Sequence, residues 1–274
     1  MGQGQLGGGP PGGYACAQMP EAPILHEVRA ELDALDDALH RMLMQRAEVV
    51  DRLRHSGAKP AGTTLRPGRE AAILRRLLAA HRGPMPAAAL VRIWREILAS
   101  SVNQQGGFSV ALPQDAALAR LAAEHFGGAA PMRQHPSVGG ALRSVAAGEA
   151  GIAVLPWPRE SDNAAEEWWP RLDAQNIQVI ARLPFLSERE PSLEAAVLAL
   201  YPADPSGDDA VLFRVELEGE ANRAAIAARH PGARVLTSRR EAGFTRALLE
   251  AEAAPDGATV LGRYARPERG SRTP

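Results

Sequence analysis

A repeat of apolar residues from Leu25 to Leu53 recurs every seven positions over about four heptads, which predicts one long amphipathic helix. Its members are Leu25, Val28, Leu32, Leu35, Leu39, Met42, Val49 and Leu53. Arg46 occupies the core position where another apolar residue is expected. A guanidinium inside an apolar seam carries a desolvation penalty unless an anion meets it. The repeat therefore predicts that Arg46 binds a buried anion.

Two later apolar stripes at helical spacing also carry polar residues. One comprises Glu70, Ile73, Leu74, Leu77 and Leu78, and the other comprises Leu90, Ile93, Trp94, Ile97, Leu98, Ser101, Val102 and Gln105. A single polar residue on an apolar face is more often a satisfied core group than a ligand. Three helices whose apolar faces carry an arginine, a glutamate, a serine and a glutamine can instead build a polar, cation-bearing pocket, the usual place for a ligand in a helical bundle.

The first third of the chain contains several ordered motifs. They are residues 28–48, residues 65–71, Gly83-Pro84 and Trp94-Arg95-Glu96-Ile97. Together they resemble the all-helical (type II) class of chorismate mutases over residues 21–106. The resemblance implies an all-α domain that forms an intertwined homodimer. A second copy is also the physical expectation, because two short helices cannot cover the apolar stripe of such a long first helix.

The resemblance implies an isomerase that converts chorismate to prephenate by a Claisen rearrangement, in aromatic amino acid biosynthesis. This step is unimolecular and uses neither a cofactor nor a metal. Catalysis then comes from conformational restriction and electrostatics. The candidate catalytic residues are Arg29, Arg46, Lys59, Arg69, Glu70, Ser101 and Gln105.

The roles of six of these residues follow from the matching family positions. Arg29 and Arg46 correspond to the arginines that grip the substrate carboxylates, the first from the other protomer. Arg69 and Glu70 form the pair that opens the second helix, where Glu70 accepts the substrate hydroxyl. Of the polar pair on the third helix, Ser101 contacts a carboxylate and Gln105 donates to the ether oxygen. A glutamine donates without having to be protonated.

One position departs from the family pattern. The family has a lysine eleven residues after the second arginine, where this chain has Gly57. Lys59 follows two residues later and is the candidate replacement, with Arg52 or Arg54 as alternatives. The non-catalytic alternative is that Lys59 is a solvated surface lysine. The helix is expected to end here, because Gly57 suits a C-terminal cap and Pro60 prevents continuation.

The pattern changes after Gly106-Gly107. Residues 108–112 and 152–156 read as short buried strands, and residues 115–126 and 138–147 read as amphipathic helices. This alternation predicts a C-terminal α/β domain. The expected fold class is multidomain, with an N-terminal all-α domain and a C-terminal α/β domain.

Two parts of this region resemble known families weakly. Residues 146–156 are similar to the prephenate dehydratase strand motif, and residues 208–267 are similar to a regulatory ACT domain. The dehydratase signatures are missing, because Leu112-Pro113-Gln114-Asp115 replaces the family's glycine-rich Ser-Phe-Ser turn and Leu193-Glu194-Ala195 replaces the catalytic Thr-Arg-Phe. The region is expected to be degenerate and non-catalytic. A role in structure, in dimer support or in sensing an aromatic amino acid effector stays open, as does an unrelated α/β module.

Composition sets wider limits. A chain of 274 residues with a net charge of −1 has room for about two domains and argues against bulk nucleic-acid binding. The single cysteine, Cys16, excludes an intramolecular disulfide. No apolar stretch approaches the roughly 20 residues of a membrane span, so we expect a cytoplasmic protein. The predicted divisions are a disordered tail (1–20), the mutase domain (21–106), a degenerate dehydratase-like region (107–205) and an ACT-like region with its tail (206–274).

Three functions are compatible with the sequence. A chorismate mutase with an appended non-catalytic domain is the leading hypothesis. The alternatives are a bifunctional chorismate mutase/prephenate dehydratase and a catalytically inactive helical dimer that senses a metabolite. A chain that ends near Gly106 is expected to dimerise and to keep mutase turnover, unless the α/β domain supports the first helix.

Overall fold

The computed structural model describes residues 23–56, 65–160, 166–173 and 176–270. The chain divides into two compact units, Met1–Val49 and Val50–Pro274. Cys16, Gly57, Lys59 and the predicted tail over residues 1–20 lie outside the described residues. The predicted domain boundary at residue 106 stays a prediction.

Helix α1 spans Pro23–His55 and confirms the long helix predicted from the heptad repeat. Its last turn carries Arg52, Arg54 and His55, which suits the negative end of a helix dipole. The apolar residues of the repeat are between 39% (Leu53) and 65% (Met42) exposed. An apolar stripe this long on a surface is typical of a protein contact site.

Helix α2 spans Pro67–Ala80 and helix α3 spans Ala87–Gln104, as the breakers in the sequence predicted. Pro67 stands in the first turn of α2, where its missing N–H costs no hydrogen bond. The buried face of α3 differs from the predicted stripe. It includes Arg95 beside Val91 and Leu98, whereas Ile93 is 46% exposed. Apolar periodicity misplaced this face because it cannot anticipate a buried charge that has a partner.

After α3, the described residues form eleven strands, three α-helices and one short 3-10 helix, Trp169–Arg171. The strands are β1 (Val110–Pro113), β2 (Met132–His135), β3 (Ile152–Pro156), β4 (Gln178–Leu183), β5 (Leu186–Ser187), β6 (Ala195–Ala199), β7 (Asp209–Glu218), β8 (Arg234–Glu241), β9 (Phe244–Ala251), β10 (Thr259–Ala265) and β11 (Glu268–Arg269). The helices are α4 (Ala116–Phe126), α5 (Val138–Ala146) and α6 (Arg223–Arg229).

Nine of these strands form one sheet in the order β2-β1-β3-β6-β4-β10-β7-β9-β8, and β11 pairs with β5. Strand β1 runs parallel to β2 and β3, which accords with the helices that connect them. The predicted α/β fold is therefore confirmed. Asp115 caps α4 through the N–H groups of Ala117 and Leu118, and Ser137 caps α5 through that of Gly140.

The first strands of the sheet separate two apolar layers. Val110, Leu112, Ile152 and Val154 pack in the layer that contains Leu118 and Phe126 of α4. Ala111, Ala153 and Leu155 pack in the layer that contains Ala141 and Val145 of α5. Strands that are covered on both faces have continuous apolar sequences, which is why β1 and β3 could be predicted from the sequence.

The C-terminal part, β7-α6-β8-β9-β10, has a ferredoxin-like strand order without a helix between β9 and β10. Strand β10 joins it to the preceding strands, since it runs antiparallel to β7 and parallel to β4. Gly262 permits this junction, because a Cβ atom there would overlap the backbone of Val179. No described helix is long and apolar enough to cross a membrane.

Candidate active site

The first turn of α2 is completed by a residue far away in the sequence. The carboxylate of Asp204 accepts hydrogen bonds from the backbone N–H groups of Gly68 and Arg69, each at 3.0 Å. It also lies 3.3 Å from the guanidinium of Arg66. The residue before the helix, Arg66, supplies no side-chain cap, so Asp204 accepts from N–H groups that the helix cannot satisfy itself.

Glu70 forms a buried ion pair with Arg95 of α3. Arg95 Nη1 donates to Glu70 Oε2 at 2.9 Å, and the two residues are 5% and 8% exposed. Burial raises the pKa of Glu70 above its ordinary 4.5, and Arg95 opposes this shift. Burial also lowers the pKa of Arg95 to about 10, with Glu70 opposing the change. Arg95 therefore stays a cation at neutral pH.

Two ring-bearing side chains, Phe185 and His125, lie beside this pair. The guanidinium of Arg95 lies 5.3 Å from the ring centroid of Phe185, in cation–π range. His125 of α4 has a pKa well below its ordinary 6.5, first because of burial and second because Arg95 repels the imidazolium. Arg95, His125 and Phe185 line a cavity of about 140 Å³, together with Glu124 and other side chains.

The predicted polar pair on α3 lies one helical turn apart. Ser101 Oγ donates to the carbonyl of Ile97 at 2.8 Å, and Gln105 Nε2 donates to the carbonyl of Ser101 at 2.7 Å. Both side chains are partly buried. A primary amide carries two N–H donors, and a hydroxyl group both donates and accepts.

The remaining predicted site residues are more exposed. Arg46 is partly buried and Arg29 is exposed, and both lie in the first compact unit. The Arg69 side chain is exposed beside the buried Glu70. Arg52 and Arg54, the alternatives to Lys59, are exposed in the last turn of α1. The structure thus joins Glu70 to Arg95 and Gln105 to Ser101, and a common role of the seven residues stays a prediction.

Arg75 fixes the middle of α2 to the α/β region. Its guanidinium donates to Glu268 Oε1 at 2.6 Å and to Ser206 Oγ at 2.9 Å. It also donates to the backbone carbonyls of Asp208 at 3.0 Å and Arg266 at 2.8 Å. These contacts place α2 against the segments that flank β7 and β10.

Sequence reasoning missed Arg75, Arg95 and Asp204 as residues that shape this site. The burial of Arg95 could have been predicted, because Arg95 stands four residues after Val91 and three before Leu98, which are both buried. A charge at that spacing on a buried face indicates a buried partner. The partners of Arg75 and Asp204 are more than 130 residues away, so no local pattern reveals them.

Two of the residues that stand in place of the dehydratase Thr-Arg-Phe motif, Glu194 and Ala195, take part in ion pairing and packing. Glu194 accepts from Arg182 Nη2 at 2.7 Å, and Ala195 opens the buried strand β6. Arg182 also pairs with Glu250 at 3.0 Å and stacks on Trp157 at 4.4 Å. The described residues contain no group of three or more acidic, histidine or cysteine side chains placed to hold a metal ion.

Comparison with known proteins identifies the N-terminal part. Residues 28–106 match the family model for chorismate mutase type II, which confirms the resemblance found in the sequence. A bifunctional chorismate mutase/prephenate dehydratase from Neisseria gonorrhoeae is 28% identical over 130 residues, covering 47% of this chain and 35% of that protein. One from Pseudomonas aeruginosa is 26% identical over 153 residues, covering 53% and 42%. The chain therefore spans less than half the length of these relatives.

Solved structures also resemble part of the chain. The prephenate dehydratase from Streptococcus mutans has a TM-score of 0.41 at 13% identity, covering 57% of this chain and 97% of that one. The prephenate dehydratase from Arthrobacter aurescens in complex with L-Phe has a TM-score of 0.41 at 15% identity, covering 59% and 91%.

Proposed function

We propose that this protein is a chorismate mutase that converts chorismate to prephenate in phenylalanine and tyrosine biosynthesis. The observation that carries the proposal is the match of residues 28–106 to type II chorismate mutases. Within that span Arg46 interrupts an apolar heptad repeat, and Glu70, Ser101 and Gln105 interrupt two further apolar stripes. A dicarboxylate substrate with a hydroxyl group would give these polar side chains the charged and hydrogen-bonding partners that they need.

The reaction places a specific demand on the site. The rearrangement breaks an ether bond and forms a carbon–carbon bond within one molecule, with negative charge growing on the ether oxygen. A millionfold acceleration requires roughly 8 kcal/mol of transition-state stabilisation. Arginine forks that hold the two carboxylates restrict the substrate to its reactive conformation, and a hydrogen-bond donor at the ether oxygen stabilises the developing charge.

The proposed roles follow the family positions. Arg29 and Arg46 bind the carboxylates, and Arg69 supports the anion site from the start of α2. Glu70 accepts the substrate hydroxyl. Ser101 contacts a carboxylate and Gln105 donates to the ether oxygen. Lys59 supplies a cation at that oxygen, beside the neutral amide of Gln105, or else Arg52 or Arg54 does.

A homodimer is part of the proposal. The apolar residues of α1 are 39% to 65% exposed along the heptad repeat, and a second copy of the helix would cover them. Sedimentation of the purified chain should therefore give the mass of a dimer. Leu35→Lys places a charge in the middle of the stripe and should shift the protein toward monomer. A monomeric wild-type protein would contradict this part of the proposal.

The deciding experiment measures chorismate consumption by the purified full-length chain, with chromatographic identification of the product. Prephenate should accumulate well above the uncatalysed rate, and Arg46→Ala should lose that activity. A chain that consumes no chorismate would instead support the inactive dimer that senses a metabolite. Calorimetry with phenylalanine and tyrosine would then test the aromatic amino acid effector.

A bifunctional mutase and dehydratase is the second candidate, because the curated relatives carry both activities in their names. Leu193-Glu194-Ala195 at the position of the dehydratase Thr-Arg-Phe argues against it, and we expect no dehydratase activity. The test is to incubate the full-length protein with prephenate at neutral pH and to measure phenylpyruvate by its absorbance in alkali. A no-enzyme control is needed, since prephenate decomposes spontaneously in acid. Enzyme-dependent phenylpyruvate would establish the bifunctional function.

A further inference from the structure

We infer that Arg95 is a positioning residue for the mutase reaction, which holds Glu70 ionised and oriented to accept the substrate hydroxyl. This inference rests on the proposed function, because Glu70 meets substrate only in that role. Arg95 itself contacts Glu70 rather than the substrate.

The geometry of the pair supports a fixed orientation. Arg95 Nη1 contacts only one of the two carboxylate oxygens of Glu70, Oε2, among the bonds that the described residues make to this side chain. The second oxygen, Oε1, is the one we assign to the substrate. Phe185, itself buried, lies against the guanidinium of Arg95 at 5.3 Å. Because Arg95 is held between an aromatic ring and a carboxylate, Glu70 has little freedom to rotate away.

The charges around Glu70 make Arg95 necessary for its ionised form. Burial raises the pKa of Glu70, and Asp204 from the segment after β6 raises it further. Burial raises the pKa of Tyr201, from the same segment, to about 12, and Glu70 and Asp204 add to this shift, so Tyr201 adds no charge at neutral pH. His125 faces Arg95 from α4 and is also neutral, because its pKa is well below 6.5. Among these groups Arg95 is the cation that opposes protonation of Glu70.

A purely structural role for Arg95 is the alternative, since removing one partner of a buried ion pair leaves the other charge unpaired and destabilises the fold. Two kinds of measurement separate the roles. Thermal unfolding reports on structure alone, whereas the pH dependence of kcat/KM for chorismate reports on the ionisation of Glu70. The variants are Arg95→Met, Arg95→Lys, Glu70→Gln and the double variant Glu70→Gln/Arg95→Met. Arg76→Met is the matched control, because Arg76 is exposed on α2, the helix that carries Glu70.

If Arg95 positions Glu70, Arg95→Met should move the acidic limb of the kcat/KM profile to higher pH by about 1 to 3 units, the usual effect of a neighbouring opposite charge. Arg95→Lys keeps the charge and should move the limb less. Glu70→Gln should be slower than wild type at neutral pH and should lack the limb. The double variant should behave like Glu70→Gln, because no carboxylate is left to protonate. Arg76→Met should match wild type throughout.

An acidic limb that stays in place in a folded Arg95→Met protein would overturn the inference, even if its melting temperature fell. Where Arg95→Met does not fold, Arg95→Lys decides in the same way, since an unchanged profile and an unchanged kcat/KM contradict positioning. A double variant that retains the shifted limb would also contradict it. Failure of the proposed function is a separate outcome, because the wild-type protein would then leave chorismate unchanged. The positioning role of Arg95 would be ruled out in that case as well.

Discussion

The carboxylate of Asp204 accepts a hydrogen bond from the backbone N–H of Gly68 at 3.0 Å, across 136 positions of sequence. The α/β region thereby completes the first turn of α2, the turn that carries Arg69 and Glu70. Gly68 is buried, and a Cβ atom on it would overlap the backbone carbonyl of Asp204. The segment after β6 and the start of α2 therefore depend on each other for their conformation.

Gly68→Ala should destabilise the protein, although alanine favours helices over glycine by about 1 kcal/mol. The added methyl group forces the Asp204 backbone away and weakens the cap, so we expect a loss of about 1 to 3 kcal/mol in the free energy of unfolding. Urea denaturation measures this loss. Gly128→Ala is the matched control, since no atom lies within 4 Å of its Cβ position. Equal stability of the two variants would contradict the close approach.

A chain truncated after Gly106 should fail to fold its second and third helices in the native arrangement. From the sequence alone such a chain is expected to keep mutase turnover, but the structure leads us to expect otherwise. Truncation removes the Asp204 cap, the Phe185 ring against Arg95, and Glu268 and Ser206 beside Arg75. Circular dichroism and chorismate turnover, compared with the full-length chain, test this expectation. A helical, fully active fragment would show that these contacts are dispensable.

Arg46→Ala should cost about 2 to 5 kcal/mol in transition-state binding, because a desolvated substrate carboxylate would lose its charged partner. Arg46→Lys should rescue the activity poorly, since an ammonium group cannot reproduce the two-pronged guanidinium contact. The measurement is kcat/KM for chorismate. Arg41→Ala is the control, because Arg41 is exposed on the same helix. Near wild-type activity of Arg46→Ala would remove Arg46 from the site.

Gln105→Glu should confine mutase activity to acidic conditions. A glutamine donates to the ether oxygen at any pH, whereas a glutamate donates only when it is protonated. The pH profile of kcat for the variant should therefore fall steeply above its glutamate pKa, while that of wild type stays flat across neutral pH. A variant that keeps its rate at about pH 8 would show that Gln105 is not the donor.

The sequence predicted elements whose signals are local. Helices α1 to α5 and strands β1 and β3 follow from apolar periodicity, breakers and capping residues. Strand β2 was missed because Met132-Arg133-Gln134-His135 is mostly polar, as suits an edge strand with exposed side chains. Polar residues on apolar faces predicted Arg46, Glu70, Ser101 and Gln105 as candidate site residues, and the family resemblance added Arg29, Lys59 and Arg69. Its supports, Arg95 and Asp204, depend on pairs formed by folding, which no pattern along one helix contains.

His125 should make the stability of the fold depend on pH. Its folded pKa lies well below 6.5, so between 6.5 and that lower value the unfolded chain binds more protons than the folded one. Stability is then fully present above pH 6.5 and is lost as the pH falls, by up to about 1.4 kcal/mol per pH unit. Glu70 has a raised pKa and acts in the opposite direction, since its burial costs least where it is protonated.

Comparing wild type with His125→Gln by urea denaturation between about pH 7.5 and 5 isolates the contribution of the histidine, because Glu70 is common to both proteins. The wild-type curve should fall more steeply, whereas the exposed His40→Gln should follow wild type. Parallel curves for wild type and His125→Gln would mean that His125 titrates normally in the folded protein.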